Sequence, residues 1–314
     1  MPKFIMLVGL PASGKSTLAQ NIAKEQNANI HSSDEIRKEL SGDINNQDIN
    51  KLVFKTLHKR IKEDLQNGKN CIYDATNISY KRRMAFLQEL NKIPCKKICV
   101  LVATTYKDCL DRNAQRDRKV PEGVIKRMYM NFNTPYYYEG WDYIKIEYTS
   151  ERYKIDRYIC DSDNVVFPID WVDLMKNYNQ YNPHHHLTLG EHCEKAGRYV
   201  QDKCPSNTPH DIVMRTTAVL HDCGKPFCQV FHDSKGNPTE IAHYYNHQFA
   251  GAYACLFFGH SPFVSPLEVS IRVMWHMQLY FIKEEKTLNK YKRLWGDALY
   301  NDLLLLHEAD KQAH

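Results

Sequence analysis

No apolar run in this sequence approaches the roughly 20 residues that span a membrane. The ten cysteines are scattered and make no CxxC pair. The apolar stretch over residues 4–10 is too short, and wrongly flanked, for the core of a secretory signal. These absences argue against a membrane protein and a disulfide framework. The expectation is a reducing, cytoplasmic setting with free thiols and no membrane partner. Disorder is excluded as well, because 43% of residues are hydrophobic, enough to build cores. A length of 314 residues suggests two domains.

The net charge of +5 hides an asymmetry. Residues 1–150 carry 25 Lys+Arg against 17 Asp+Glu, and residues 151–314 carry 17 against 20. Only His31 and His58 precede residue 150, and the other thirteen histidines follow it. A basic half and a histidine-rich half are two chemistries in one chain. The basic half suits a polyanionic substrate, although an ordinary solvated surface gives a similar balance.

The clearest motif comes first. Gly9, Leu10, Pro11, Ala12, Ser13, Gly14, Lys15, Ser16 and Thr17 follow an apolar run and precede a helical pattern. This strand–GxxxxGKS–helix order predicts a phosphate-binding loop whose N–H groups wrap nucleotide phosphates at a helix N-terminus. Lys15 reaches the outer phosphates and Ser16 holds Mg²⁺. The chain is therefore expected to bind ATP or another nucleoside triphosphate.

A second strand over residues 29–31 leads to Ser33, Asp34 and Arg37. Ser33 or Asp34 can cap the next helix. A carboxylate at the carboxyl end of a parallel strand also faces the ligand crevice, where it can take a proton from an attacking hydroxyl. Arg37, one turn on, can hold a substrate phosphate. A third strand ends in Asp74, Ala75, Thr76 and Asn77, followed by the basic cluster Lys81, Arg82 and Arg83, which reads as a solvated helix face. The apolar run over 98–102 reads as an interior parallel strand. Arg112 and Arg116, at i and i+4, read as two guanidinium groups on one helix face, and a last short strand is expected over 144–146. Tyr136, Tyr137, Tyr138 and Trp141 suit either base stacking or packing. Alternating strands and helices predict an α/β domain, a parallel sheet with helices on both faces.

In order and spacing, the loop at 9–17, the segment 33–37, the segment 74–77 and Arg112–Arg116 before Val120-Pro121 resemble the P-loop polynucleotide 5′-kinases. The resemblance covers roughly the first half. It implies Asp34 as general base for a 5′-hydroxyl, Arg37 on the acceptor's nearby phosphate, Arg116 as the lid arginine on the ATP phosphates, and Asp74 and Thr76 shaping the acceptor site.

The second half opens on mixed polar and apolar residues, read as a connector over 153–180 with a short helix. His184, His185 and His186 are consecutive and converge poorly on one ion, whereas His192 sits on a helical pattern. An apolar helix then ends in His221-Asp222, with Gly224 expected to supply the terminating turn and Lys225 beside it. Imidazole with carboxylate suits a divalent transition ion. His243, His247, His276 and Asp310 follow in order. This order resembles the HD-domain metal phosphohydrolases, all-α helical bundles. That resemblance implies one metal on His192, His221, Asp222 and Asp310, and a second on His276 with His247 or, alternatively, His243. Lys225 would meet the phosphate.

The expected organisation is thus a P-loop kinase domain over 1–152, a connector over 153–180 and an HD phosphohydrolase domain over 181–314. A kinase and a phosphatase acting on one hydroxyl would be futile, but on the two ends of a broken strand they cooperate. RNA cleavage by 2′-OH attack leaves a 5′-hydroxyl and a 2′,3′-cyclic phosphate, which a ligase that needs 5′-phosphate and 3′-hydroxyl ends does not join. The leading expectation is an RNA end-healing enzyme working on nucleic-acid ends upstream of an RNA ligase. The alternatives are a small-molecule kinase fused to an HD nucleotidase, and a nucleotide-gated binding protein with a degenerate HD half.

Overall fold

A computed structural model describes residues 1–150, 158–160, 166–168, 175–183, 186–258 and 264–313. The chain folds into two compact units, Met1–Met128 with Pro135–Ser150, and Tyr129–Thr134 with Glu151–His314. Among the described residues no helix is long and apolar enough to cross a membrane. Every cysteine whose side chain is described is free.

The first unit is a five-stranded parallel sheet. Its strands are β1 (Lys3–Val8), β2 (Ala28–Ser32), β3 (Asn70–Asp74), β4 (Lys96–Ala103) and β5 (Tyr143–Tyr148), in the order β2-β3-β1-β4-β5. β1 has a parallel neighbour on each side, which is why Phe4 through Val8 is all apolar and buried. On one face Ile5, Leu7, Ile72, Val100 and Val102 pack with Ala19 of α1 (Lys15–Gln26). Elsewhere in this unit α2 (Ser33–Ser41) and α3 (Asn50–Gln66) follow β2, and Val53, Leu57, Ile61 and Leu65 make the buried stripe of α3.

Three helices complete the unit: α4 (Tyr80–Glu89), α5 (Tyr106–Ala114) and α6 (Glu122–Tyr129). One expectation is corrected here, and one that the sequence left open is resolved. Arg83 of the basic cluster is not solvated: it is buried against Glu139, both side chains at 0% exposure, with Nε donating to Oε2 at 2.7 Å. Trp141 also donates to Glu139, at 2.9 Å, and stacks on Phe4, so Trp141 and the buried Tyr136 belong to the core, while Tyr137 and Tyr138 are exposed.

In the second unit the described part of the expected connector holds an antiparallel pair, β6 (Tyr158–Cys160) and β7 (Val166–Pro168). The short helix expected across 171–175 falls mostly outside the described residues, as do His184 and His185. The longer described segments include the helices α7 (Leu189–Lys203), α8 (Pro209–Leu220), α9 (Lys225–Cys228), α10 (His247–Cys255), α11 (Pro266–Trp275), α12 (Gln278–Phe281) and α13 (Glu285–Gln312). Capping boxes start α7 (Thr188 with Glu191) and α8 (Thr208 with Asp211), and α13 is kinked at Gly296, where φ is 71°.

The unit is not purely helical. β8 (Val230–His232) and β9 (Pro238–His243) form a hairpin, closed where the Asp233 carboxylate accepts from the amides of Lys235 and Asn237. Gly224 also departs from expectation, since its φ of −81° is ordinary and makes no left-handed turn. What it allows is close approach: a Cβ there would lie 2.1 Å from the His247 carbonyl oxygen and 2.6 Å from the Gly251 amide nitrogen. The absent side chain lets the segment after Asp222 lie against α10.

Candidate functional site

The loop between β1 and α1 is a cradle for an anion. Gly14 has φ 88° and Ala12 φ 60°, so the chain curls before α1 begins. At Gly9 a Cβ would meet Ser13 Oγ at 2.8 Å and the Val102 carbonyl at 2.9 Å. The Gly9 amide donates to the Thr76 carbonyl at 3.0 Å, and Thr104 and Thr149 hydroxyls both donate to the Ser13 carbonyl at 3.0 Å. Lys15 Nζ donates to the Leu10 carbonyl at 2.6 Å and Ser13 Oγ at 3.3 Å. Burial pulls its ammonium down to about 8, with Asp74 pulling the other way and Arg116 adding like charge.

Ser16 Oγ donates to Asp74 Oδ2 at 2.9 Å, so Asp74 at the end of β3 faces the loop hydroxyl expected to hold Mg²⁺. Burial raises the Asp74 carboxyl, and the Ser16 hydrogen bond and Lys15 oppose that rise. Asp34 lies in the first turn of α2; Ser32 is the cap residue, and neither Ser33 nor Asp34 caps the helix. Arg37 donates to Asp34 Oδ1 at 2.7 Å. α5 ends at Ala114, so Arg112 and Arg116 do not share a helix face. Arg112 donates to Thr149 Oγ1 at 3.0 Å, whereas Arg116 stays exposed just past the helix end. Arg118, which sequence reasoning passed over, donates to Asp34 Oδ2 at 2.6 Å.

The second unit brings together His192, His221, Asp222, His247, His276 and Asp310, drawn from α7, the end of α8, α10, the end of α11 and α13. Nδ1 of each histidine faces a backbone carbonyl: Ala313 for His192 at 3.3 Å, Ala218 for His221 at 2.6 Å, Tyr244 for His247 at 2.8 Å and Val273 for His276 at 2.7 Å. A carbonyl only accepts, so each Nδ1 carries hydrogen and each Nε2 turns inward.

The Nε2 atoms pair off, His192 to His221 at 3.1 Å and His247 to His276 at 3.3 Å. Asp222 lies between the pairs. Its Oδ2 is 3.4 Å from both His192 and His221, and its Oδ1 is 3.0 Å from His247 and 3.5 Å from His276. Asp310 Oδ1 joins the first pair, 3.1 Å from His192 and 3.5 Å from His221.

Imidazole nitrogens 3.1 Å apart and anionic oxygens at these distances need a cation or protons between them. Burial pulls His192 and His221 down, but Asp222 and Asp310 overcome it and hold both above the ordinary histidine value. Burial would raise the two carboxyls, yet Lys225 and His221 hold Asp222, and His192 and His221 hold Asp310, well below the usual range. The donor set of imidazole nitrogen and carboxylate oxygen fits a divalent ion in place of such shared protons.

His243 stays outside the cluster, stacked on Tyr245 with ring centroids 5.4 Å apart. Lys225 Nζ donates to Asp222 Oδ2 at 2.7 Å and to Gln180 Oε1 at 2.8 Å. Tyr280 donates to Asp310 Oδ2 at 2.9 Å. Gln180 and Tyr280 were not foreseen, because a lone amide or phenol in a mixed segment carries no spacing signal.

Residues 4–135 match the family model described as AAA domain. The first unit is a P-loop kinase-like domain. The chain is 30% identical over 143 residues, 44% of its length, to the L-seryl-tRNA(Sec) kinase of Methanococcus maripaludis, of which it covers 55%. It thus spans about half the length of that relative. Among solved structures, a gluconokinase from Sinorhizobium meliloti 1021 aligns over 47% of this chain and 82% of that one, with 15% identity and a TM-score of 0.34. A chain of a Pnkp1/Rnl/Hen1 complex aligns over 52% of this chain and 51% of that one, with 21% identity and a TM-score of 0.32.

Proposed function

We propose that the chain heals broken RNA ends: a kinase site phosphorylates 5′-hydroxyl ends with ATP, and an HD-type metal site hydrolyses 2′,3′-cyclic phosphate or 3′-phosphate ends. The observation that carries this reading is the convergence of six buried or nearly buried ligands in a chain that also carries a P-loop kinase-like domain. The relative named an L-seryl-tRNA(Sec) kinase supports a kinase whose acceptor is borne on RNA.

In the kinase site Ser16 and Asp74 would hold Mg²⁺, which moves Asp74 from the acceptor side to the donor side. Lys15 and Arg116 draw the ATP phosphates into place. Asp34 takes the proton of the attacking 5′-hydroxyl as the oxygen bonds to the γ-phosphorus and ADP departs. In the second unit His192, His221, Asp222 and Asp310 would hold one divalent ion, and Asp222, His247 and His276 another. Such ions supply Lewis acidity toward the phosphate ester. Asp222 orients both halves, and Lys225 places positive charge beside them.

The test compares acceptors and leaving groups separately. With ATP and Mg²⁺, a 5′-hydroxyl RNA should be phosphorylated in preference to a free nucleoside. With Mn²⁺, Ni²⁺ or Co²⁺, an RNA 2′,3′-cyclic or 3′-phosphate end should be hydrolysed in preference to mononucleotides. The opposite preference on both counts moves the chain to nucleotide metabolism.

A further inference from the structure

Asp34 is gripped from two sides. Arg37 donates to its Oδ1 at 2.7 Å, and Arg118, 84 positions away between α5 and α6, donates to its Oδ2 at 2.6 Å. Both guanidinium groups have other anchors. Arg118 Nε donates to Asn45 Oδ1 at 2.9 Å and its Nη2 to the Ile44 carbonyl at 3.3 Å, both between α2 and α3. Arg37 Nη2 donates to Asn50 Oδ1 at 2.8 Å. Each is therefore placed by neighbours other than Asp34 and turns one N–H toward the carboxylate. The Arg37 side chain is only 5% exposed, and that of Arg118 is 29% exposed, so Arg118 is the one open to an incoming ligand.

To a guanidinium fork a carboxylate and a phosphate offer the same thing, anionic oxygens at hydrogen-bonding distance. We propose that Arg118 is an acceptor-phosphate ligand, forming with Arg37 a two-arginine clamp that Asp34 fills until substrate arrives. The clamp takes a phosphate lying next to the accepting hydroxyl and so selects phosphate-bearing acceptors over bare nucleosides or sugars. This rests on the kinase reading of the first unit. When the acceptor's phosphate takes over the guanidinium N–H groups, the Asp34 carboxylate turns to the hydroxyl. The O–H proton passes to Asp34, the oxygen bonds to the γ-phosphorus of ATP, and the β–γ bridging P–O bond breaks to release ADP. A simple staple between Arg118 and α2 predicts none of this selectivity.

The test measures kcat and KM of the full chain with ATP and Mg²⁺ on a nucleoside 3′-phosphate and on the same nucleoside without phosphate. The wild type should prefer the phosphorylated acceptor. Arg118→Ala should raise KM for that acceptor about tenfold or more, with a much smaller change in kcat, and should not impair the bare nucleoside, because losing one arm of the clamp leaves Asp34 freer to take the hydroxyl proton. Arg118→Lys, which keeps the charge but not the fork, should recover part of the loss. An unchanged KM for the phosphorylated acceptor, or equal losses on both acceptors, overturns the clamp. A wild type without preference between the acceptors also overturns it while leaving the kinase reading intact. If the wild type phosphorylates neither acceptor nor a 5′-hydroxyl RNA, the kinase reading falls and takes this inference with it.

Discussion

Replacing Asp222 with asparagine is the most informative change in the second unit, because both of its oxygens are engaged. Oδ2 faces His192 and His221 at 3.4 Å, and Oδ1 faces His247 and His276 at 3.0 and 3.5 Å. Asparagine keeps the shape but removes the negative charge and turns one oxygen into an N–H donor aimed at imidazole nitrogens. Loss of a mere hydrogen-bonding partner of a metal ligand costs 10–100-fold in affinity on the order of typical cases. A residue facing both ligand pairs should cost at least that much at each. Wild-type chain at a free metal concentration of 100 Kd gains about 2.7 kcal/mol of stability. The variant at the same concentration should gain little. Metal content after dialysis and the shift in thermal midpoint with Mn²⁺ read this directly, and the kinase activity should be unaffected. Wild-type metal content in Asp222→Asn, with the fold intact, would refute the bridging role. Loss of both activities would point to misfolding instead.

Three further outcomes follow from the same geometry. Asp34→Ala should abolish phosphoryl transfer while ATP binding and 3′-end hydrolysis persist; near-wild-type kinase rates would remove Asp34 from the reaction. Lys15 titrates near 8 in the free loop, and ATP phosphates favour its protonated form. Binding should therefore take up a proton above that pH, and affinity should weaken as pH rises through 8, by up to about tenfold per pH unit. Calorimetry in two buffers of different ionisation enthalpy checks this, and no proton uptake at pH 8.5 would contradict it. Arg83→Met strands the Glu139 carboxylate in the core and should cost about 3–5 kcal/mol by urea unfolding. The double change with Glu139→Leu should recover much of that, and equal stability of the single and double variants would show that the pair is not coupled.

What the sequence made legible was local. The phosphate loop, the strands leading to Asp34 and Asp74 and the six side chains that converge from successive helices are each written within a few residues. The departures come from contacts between distant segments. Asp74 meets Ser16 across 58 positions, and Arg118 meets Asp34 across 84, spacings that no helical or strand period encodes. The i,i+4 spacing of Arg112 and Arg116 implies one face only while the helix continues, and it stops at Ala114. Arg83 looked solvated because its neighbours are basic, and only the fold supplies Glu139. A glycine after His221-Asp222 suggests backbone freedom, whereas the fold uses the space that the missing Gly224 side chain leaves beside His247. His243 and His247 were equivalent in sequence; the hairpin ending at His243 carries that ring onto Tyr245, and the start of α10 carries His247 to Asp222.

The central claim is that one chain repairs both ends of a break. A short RNA with a 5′-hydroxyl and a 2′,3′-cyclic phosphate, incubated with ATP, Mg²⁺ and then Mn²⁺, Ni²⁺ or Co²⁺, tests it with the two ends resolved separately. The account predicts phosphate gained at the 5′ end and the cyclic phosphate opened or removed at the 3′ end. Both ends unchanged, while mononucleotides or nucleosides are processed under the same conditions, would contradict it.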